Sequence, residues 1–178
     1  MIEKILEYDK NFDESVFLTR IDHIMIMILG GIMENNMKDV KHYLSDETYD
    51  KFTTLVEDYK SKGITRIFGE MNIKNSSISN VEIVDNKINI TCNIITRYMD
   101  YFVDSDGNYI SGINNHRIER NNTIVFSKRV DASELLSARR CPNCGKTLDI
   151  NASGVCPYCN GTFNMEKYDY IVSKMDLI

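Results

Sequence analysis

Apolar positions at Ile21, Ile24, Met25, Ile28, Leu29 and Ile32 follow the i, i+3, i+4, i+7 spacing of an amphipathic helix with one stripe toward a core. Gly30-Gly31 lowers helix propensity there and marks either a close packing contact or an early end. After the Asn35-Asn36 break a shorter helical stretch is expected from Met37 to Leu44. Ser45 reads as an N-cap with Asp46 and Glu47 in the first turn. The helix it opens buries Tyr49, Phe52, Val56 and Tyr59 and stops at Gly63.

From about Phe68 the period shortens to two. Ile88, Ile90, Cys92 and Ile94 alternate with Asn89, Thr91 and Asn93, the signature of a half-buried strand. Cys92 then falls among aliphatics and reads as an inert core residue. Asp85-Asn86-Lys87 and Asp104-Ser-Asp-Gly107 are turn signals, so Val81 to Val84, Lys87 to Val103 and Tyr109 to Arg129 are expected as pieces of an antiparallel meander. Helices first and strands afterwards argue for an α+β fold, with helices packed on one face of a curved antiparallel sheet.

The chain ends differently. Cys141-Pro-Asn-Cys144-Gly and Cys156-Pro-Tyr-Cys159-Asn-Gly place four thiols in two C-x2-C hooks. Two intervening residues let the chain curl until both sulfurs reach one tetrahedral ion, at about 2.3 Å each. Gly145 and Asn160-Gly161 follow the hooks where a residue tolerant of positive φ is needed. The insert from Gly145 to Val155 holds one small hairpin turning at Asn151-Ala-Ser-Gly154. A redox dithiol, a rubredoxin-like iron site and disulfides are the competing readings. The paired hooks favour one structural Zn2+ held by Cys141, Cys144, Cys156 and Cys159, with no position open for catalysis. Two units follow, an α+β domain over 1–133 and a zinc ribbon over 134–178. Tyr168, Tyr170 and Val172 suggest a last strand against the metal module or its neighbour.

Of 178 residues, 43% are hydrophobic and 26% charged, an ordinary globular balance. The net charge of -5, made about 2 units more negative by four thiolates around one Zn2+, opposes nucleic-acid binding. Arg139-Arg140 and Lys128-Arg129 are too few to build a basic groove, and Asp149, Glu166, Asp169 and Asp176 offset Lys146, Lys167 and Lys174. Glu3, Lys4, Glu7 and Asp9 interrupt the first residues, unlike a signal peptide. The apolar run Ile24 to Met33, closed by Asp22, His23 and Glu34, is about half a bilayer span. The expected location is cytoplasmic or peripheral on a membrane.

Asn11-Phe-Asp-Glu-Ser-Val-Phe-Leu18, the Ile21 helix, Met37-Lys-Asp-Val-Lys-His-Tyr-Leu-Ser-Asp-Glu47, Gly112, Val125-Phe126 and Arg129 together resemble the Tim44-like family, whose bacterial members often append a zinc ribbon similar to Cys141–Cys159. The resemblance implies a cone of the NTF2-like or cystatin-like type with a pocket between sheet and helices. It also implies contacts with a protein partner and with lipid, as in the family's best-known member, a peripheral inner-membrane component of mitochondrial protein import. That member's long N-terminal region has no counterpart here, so an import role does not carry over directly.

The leading expectation is a non-catalytic binding or scaffold protein that engages a protein segment, lipid or amphiphile through the cone. Ile26, Met27 and Met33 are candidate pocket lining, with ordinary core as the plainer reading. The alternative is an NTF2-like isomerase or dehydratase placing a carboxylate or histidine in an apolar pocket. Asp22, His23, Asp100 and His116 are its titratable candidates, with Tyr98 and Tyr101 as donors and Asp22-His23 expected at a helix start. No Ser-His-Asp order, phosphate-binding glycine loop or H-E-x-x-H is present.

Overall fold

The structure, a computed structural model, describes residues 1–131, 141, 143–147, 156–161, 166 and 169–178. Helices α1 (Ile2–Leu6), α2 (Glu14–Met33) and α3 (Asp46–Ser61) precede three long strands, β1 (Ile64–Val84), β2 (Lys87–Asp104) and β3 (Tyr109–Arg129). A short strand, β4 (Ile171–Met175), comes last. The sheet is antiparallel in the order β1-β2-β3-β4, with helices packed on one face, so the expected α+β class holds.

Local chemistry accounts for the helix limits. Asp13 caps α2 by accepting from the Val16 N–H at 2.9 Å. That start corrects the expectation that Asp22-His23 opens the helix: both lie in its third turn. Gly31 settles the diglycine question, since a Cβ there would stand 3.0 Å from Met37 Sδ and 3.1 Å from the Asn36 carbonyl. The segment after it is a 3-10 helix, Lys38–Tyr43, with no side-chain cap. Ser45 caps α3 as expected by accepting from the Thr48 N–H at 3.3 Å. Gly63, at φ 64, ends it.

The strands run longer than their alternation suggested. β1 begins at Ile64, and its register against β2 slips at Gly69/Asn72, Ile73/Asn75 and Ile78/Asn80. Such bulges bend the sheet and strengthen its twist. Asp85 and Asn86, at φ 51 and 61, make the two-residue reversal into β2. The β2–β3 turn is held by Asp104, whose Oδ1 accepts from the Asp106 and Asn108 N–H groups at 2.9 Å.

The concave face closes over one core. Ile88, Ile90, Cys92, Ile94 and Tyr98 of β2 meet Ile21, Met25 and Ile28 of α2, Phe52 of α3 and Phe126 of β3, all 0% exposed. Each such burial contributes about 1.5–3 kcal/mol. Burial also pushes the Cys92 thiol up to about 12, which keeps it protonated and inert. The space where the cone pocket was expected is therefore occupied by side chains.

β4 pairs with β3 rather than with the cysteine hooks: Ile124 faces Met175 and Ser127 faces Ile171. Val172 bridges Leu44, and its carbonyl accepts from the Ser45 N–H at 2.8 Å. The chain thus leaves the sheet after β3, passes through the cysteines and returns to the same sheet. Residues 132–140, including Arg139-Arg140, the hairpin turn at 151–154 and Tyr168 lie outside the described residues.

Candidate metal centre and its surroundings

The two hooks are built alike. In the first, the Cys141 N–H donates to the Lys146 carbonyl at 2.7 Å and the Gly145 N–H to the Cys141 carbonyl at 2.8 Å. In the second, the Cys156 N–H donates to the Gly161 carbonyl at 3.0 Å and the Asn160 N–H to the Cys156 carbonyl at 2.9 Å. Gly145 at φ 73 and Asn160 at φ 54 occupy matching positions, which is why the sequence has glycine in one and asparagine in the other. The curl turns all four sulfurs inward, each within 4.8 Å of the others.

Their spacing fits one tetrahedral ion. Metal–sulfur bonds of about 2.3 Å place sulfurs about 3.8 Å apart. The Cys141–Cys159 pair stands at 3.8 Å and the Cys144–Cys156 pair at 3.6 Å. Outer donors support thiolate charge: the Asn143 and Cys144 N–H groups point to Cys141 Sγ at 3.4 and 3.5 Å, and Asn143 Nδ2 to Cys159 Sγ at 3.5 Å. The Gly161 backbone N–H and the Asn143 amide lower the Cys159 thiol to about 6. Backbone donors, chiefly that of Cys144, also lower Cys141. Cys144 rises to about 11, because desolvation and hydrogen bonds from the other sulfurs outweigh the Lys146 N–H. Bringing in an ion would release the remaining thiol protons. The four residues can hold a metal, and with four protein donors they leave it no open position.

The catalytic candidates do not assemble. His23 is exposed on α2 with its ring edge toward Tyr43, and His116 is exposed on β3 beside Asn115 Oδ1 at 2.7 Å. Asp22 is half-buried and accepts from the Ser76 hydroxyl. Asp100 faces the core but is fully engaged, its two oxygens each taking a 2.8 Å hydrogen bond from Arg66. Burial disfavours the Arg66 charge, yet the bond and charge of Asp100 outweigh it and raise the guanidinium above its usual value. Tyr98 is buried beneath that pair, and burial raises its hydroxyl pKa. Tyr101 is half-buried and stands beside Tyr109 on the hairpin. Among the described residues, no hydrogen bond or ion pair joins any two of Asp22, His23, Asp100 and His116.

A family model for the Tim44-like domain matches residues 1–136, more than half of the chain. The chain belongs to the Tim44-like family. Among solved structures, the intermembrane space region of the chloroplast protein ARC6 is similar to it at 9% identity, with a TM-score of 0.40 over 63% of this chain and 85% of that one. No curated protein matches it.

Two features of this Tim44-like protein were missed in the sequence. An open groove of about 630 Å³ runs between the N-terminal half of α2 and β1, lined by Asp13, Glu14, Leu18, Asp22 and Ser76 among others. At the β2–β3 hairpin, Tyr109 and Ile110 are 52% and 47% exposed. The candidate lining residues sit elsewhere: Ile26 is exposed on the outer side of α2, while Met27 and Met33 pack half-buried against the core. α2 is also long and apolar enough to cross a membrane by length and composition, although Phe17, Ile21, Ile24, Met25, Ile28, Leu29 and Ile32 are buried in the fold.

Proposed function

We propose that this Tim44-like protein is a non-catalytic binding module, in which the cysteine hooks form a zinc ribbon around one structural Zn2+ and the cone engages a protein segment at its surface. The observation that carries this reading is the filled interior. Where the alternative needs a carboxylate or histidine in an open apolar pocket, Ile94, Tyr98 and Phe52 are 0% exposed and Asp100 is locked to Arg66. The all-cysteine ligand set supports zinc, since soft thiolates at tetrahedral spacing suit that ion. Four such ligands give it a structural role.

The hairpin end of the sheet is the binding surface we favour. Tyr109 and Ile110 stand exposed there beside half-buried Tyr101, and an aromatic with a polar tip suits a surface that must be both soluble and adhesive. Lipid is the less favoured ligand because the chain is acidic. A location in the cytoplasm, peripheral on a membrane, is part of the proposal, and family membership supports the membrane association.

The test is crosslinking in cells followed by purification of the full chain, comparing wild type with a Tyr109→Asp, Ile110→Asp variant. The account expects the variant to keep its fold and its metal while losing the crosslinked protein. Retention of the same partner would count against this surface. Turnover of a small molecule by the metal-loaded protein would overturn the non-catalytic reading.

A further inference from the structure

Past Met175 the sheet ladder stops and the chain runs on as Asp176–Ile178, a segment with no helix or strand of its own. The Asp176 side chain is 98% exposed and Leu177 is 45% exposed, while Ile178 turns back half-buried against the core. One hydrogen bond marks where it lands: Arg66 Nη1 donates to the Ile178 carbonyl.

The receiving site is built without that segment. Asp100 holds Nε and Nη2 of the same guanidinium at 2.8 Å each, and Arg66 is only 8% exposed. The guanidinium carbon stands 4.9 Å from the Phe68 ring centre and 5.8 Å from that of Phe102, and Tyr59 of α3 closes on Phe102 at 5.5 Å. A fixed, largely desolvated donor beside aromatic faces suits a peptide carbonyl with an apolar side chain next to it. The site also adjoins the surface favoured above for binding. Arg66, Phe102 and Ser111 share one rung of the sheet, and exposed Tyr109 and Ile110 immediately precede Ser111.

We propose that Asp176–Ile178 is an exchangeable strap whose place is taken by an extended segment of the partner protein, which sets a carbonyl on Arg66 Nη1 and an apolar side chain where Ile178 lies. This rests on the binding reading above and adds the chemistry of the partner segment and a brake on its access. Release is local. Arg66 stays paired with Asp100 when the strap leaves, so no buried charge is stranded. β4 stays anchored by buried Ile171, Val172 and Met175 and by Lys51 Nζ on the Met175 carbonyl. The strap itself is lightly held, since Lys51 reaches Asp176 only at 3.7 Å and in solvent. Its tether sets it against the partner at an effective concentration of about millimolar. A strap seated about nine-tenths of the time lowers the partner's affinity about tenfold.

The test uses the metal-loaded full chain and a fluorescein-labelled, amidated peptide repeating residues 174–178, read by anisotropy. The Leu177→Gly, Ile178→Gly chain should bind this peptide at least tenfold more tightly than wild type does. Adding Arg66→Met with Asp100→Leu should erase the gain. Placing Ile178→Gly in the peptide should erase it too, a control that leaves the protein unchanged. The proposal is overturned by no binding to the loosened chain, by equal binding to loosened and wild-type chains, or by binding indifferent to both Arg66 and the peptide's isoleucine. In cells the loosened chain should also yield more of the crosslinked protein whose capture needs Tyr109 and Ile110. An unchanged yield that still needs those two residues overturns the strap and leaves the binding surface standing.

Discussion

Removing the metal should melt the cysteine hooks and leave β4 in the sheet. The reasoning turns on two magnitudes. β3 ends at Arg129 and β4 begins at Ile171, so the cysteine hooks occupy a long loop within one sheet. A metal joining Cys141 to Cys159 shortens that loop from about 41 to about 24 links, and the closure entropy this saves is only about 0.5 kcal/mol. Against it stand Tyr170, Ile171, Val172 and Met175, each 4% exposed or less. At about 1.5–3 kcal/mol per buried side chain they outweigh the loop term by more than about tenfold. Backbone and side-chain contacts add to them, including Lys51 Nζ to the Met175 carbonyl at 2.9 Å. The assay is hydrogen exchange on reduced protein before and after chelation. Amides of residues 143–147 and 156–161 should lose protection while those of Ile171–Met175 and Ile124–Ser127 keep it. Loss of protection at β4 in step with the hooks would refute the argument and make the metal a clamp on the sheet.

Three further outcomes are expected. Gly112→Ala should lower stability by about 2–4 kcal/mol in a urea titration, because φ is 105 and the new Cβ would lie 2.4 Å from the Asp100 carbonyl; an unchanged midpoint would mean that β3 relaxes there. Arg66→Ala should cost about 3–5 kcal/mol by leaving Asp100 buried without its partner, whereas Arg66→Met with Asp100→Leu should be far milder, and equal losses would contradict the desolvation argument. His42, lowered to about 4 by burial and by the Arg20 charge, is neutral when folded but protonates near 6.5 when unfolded. Its contribution is therefore complete above 6.5 and is lost as pH falls toward 4, by up to roughly 2 kcal/mol after screening. Denaturation of wild type and His42→Gln at pH 7 and 4.5 reads this directly, since the variant should show the smaller acid loss.

Local signals were legible and long-range ones were not. Ser45 capped its helix as read because the cap and the N–H it serves lie three residues apart. The cysteine hooks were legible for the same reason. Most of β1 was missed because its three register slips break the alternation that marks a strand, leaving only Val81 to Val84 in phase. α2 was read from Ile21, since Val16, Phe17 and Leu18 run consecutively and hide the stripe that begins at the Asp13 cap. Asp100 looked like a candidate acid until the fold brought it to Arg66, 34 residues away. The return of Ile171–Met175 to β3 depends on pairing across both cysteine hooks, which no local pattern encodes.

The most direct test of the account is native mass spectrometry of the protein purified from its own cells without refolding. One zinc ion per chain, lost together when any one of Cys141, Cys144, Cys156 or Cys159 is changed to serine, and no small molecule held in the cone, is the result predicted. A metal-free chain with disulfides among those cysteines, or a tightly held small molecule in addition to the metal, would contradict it.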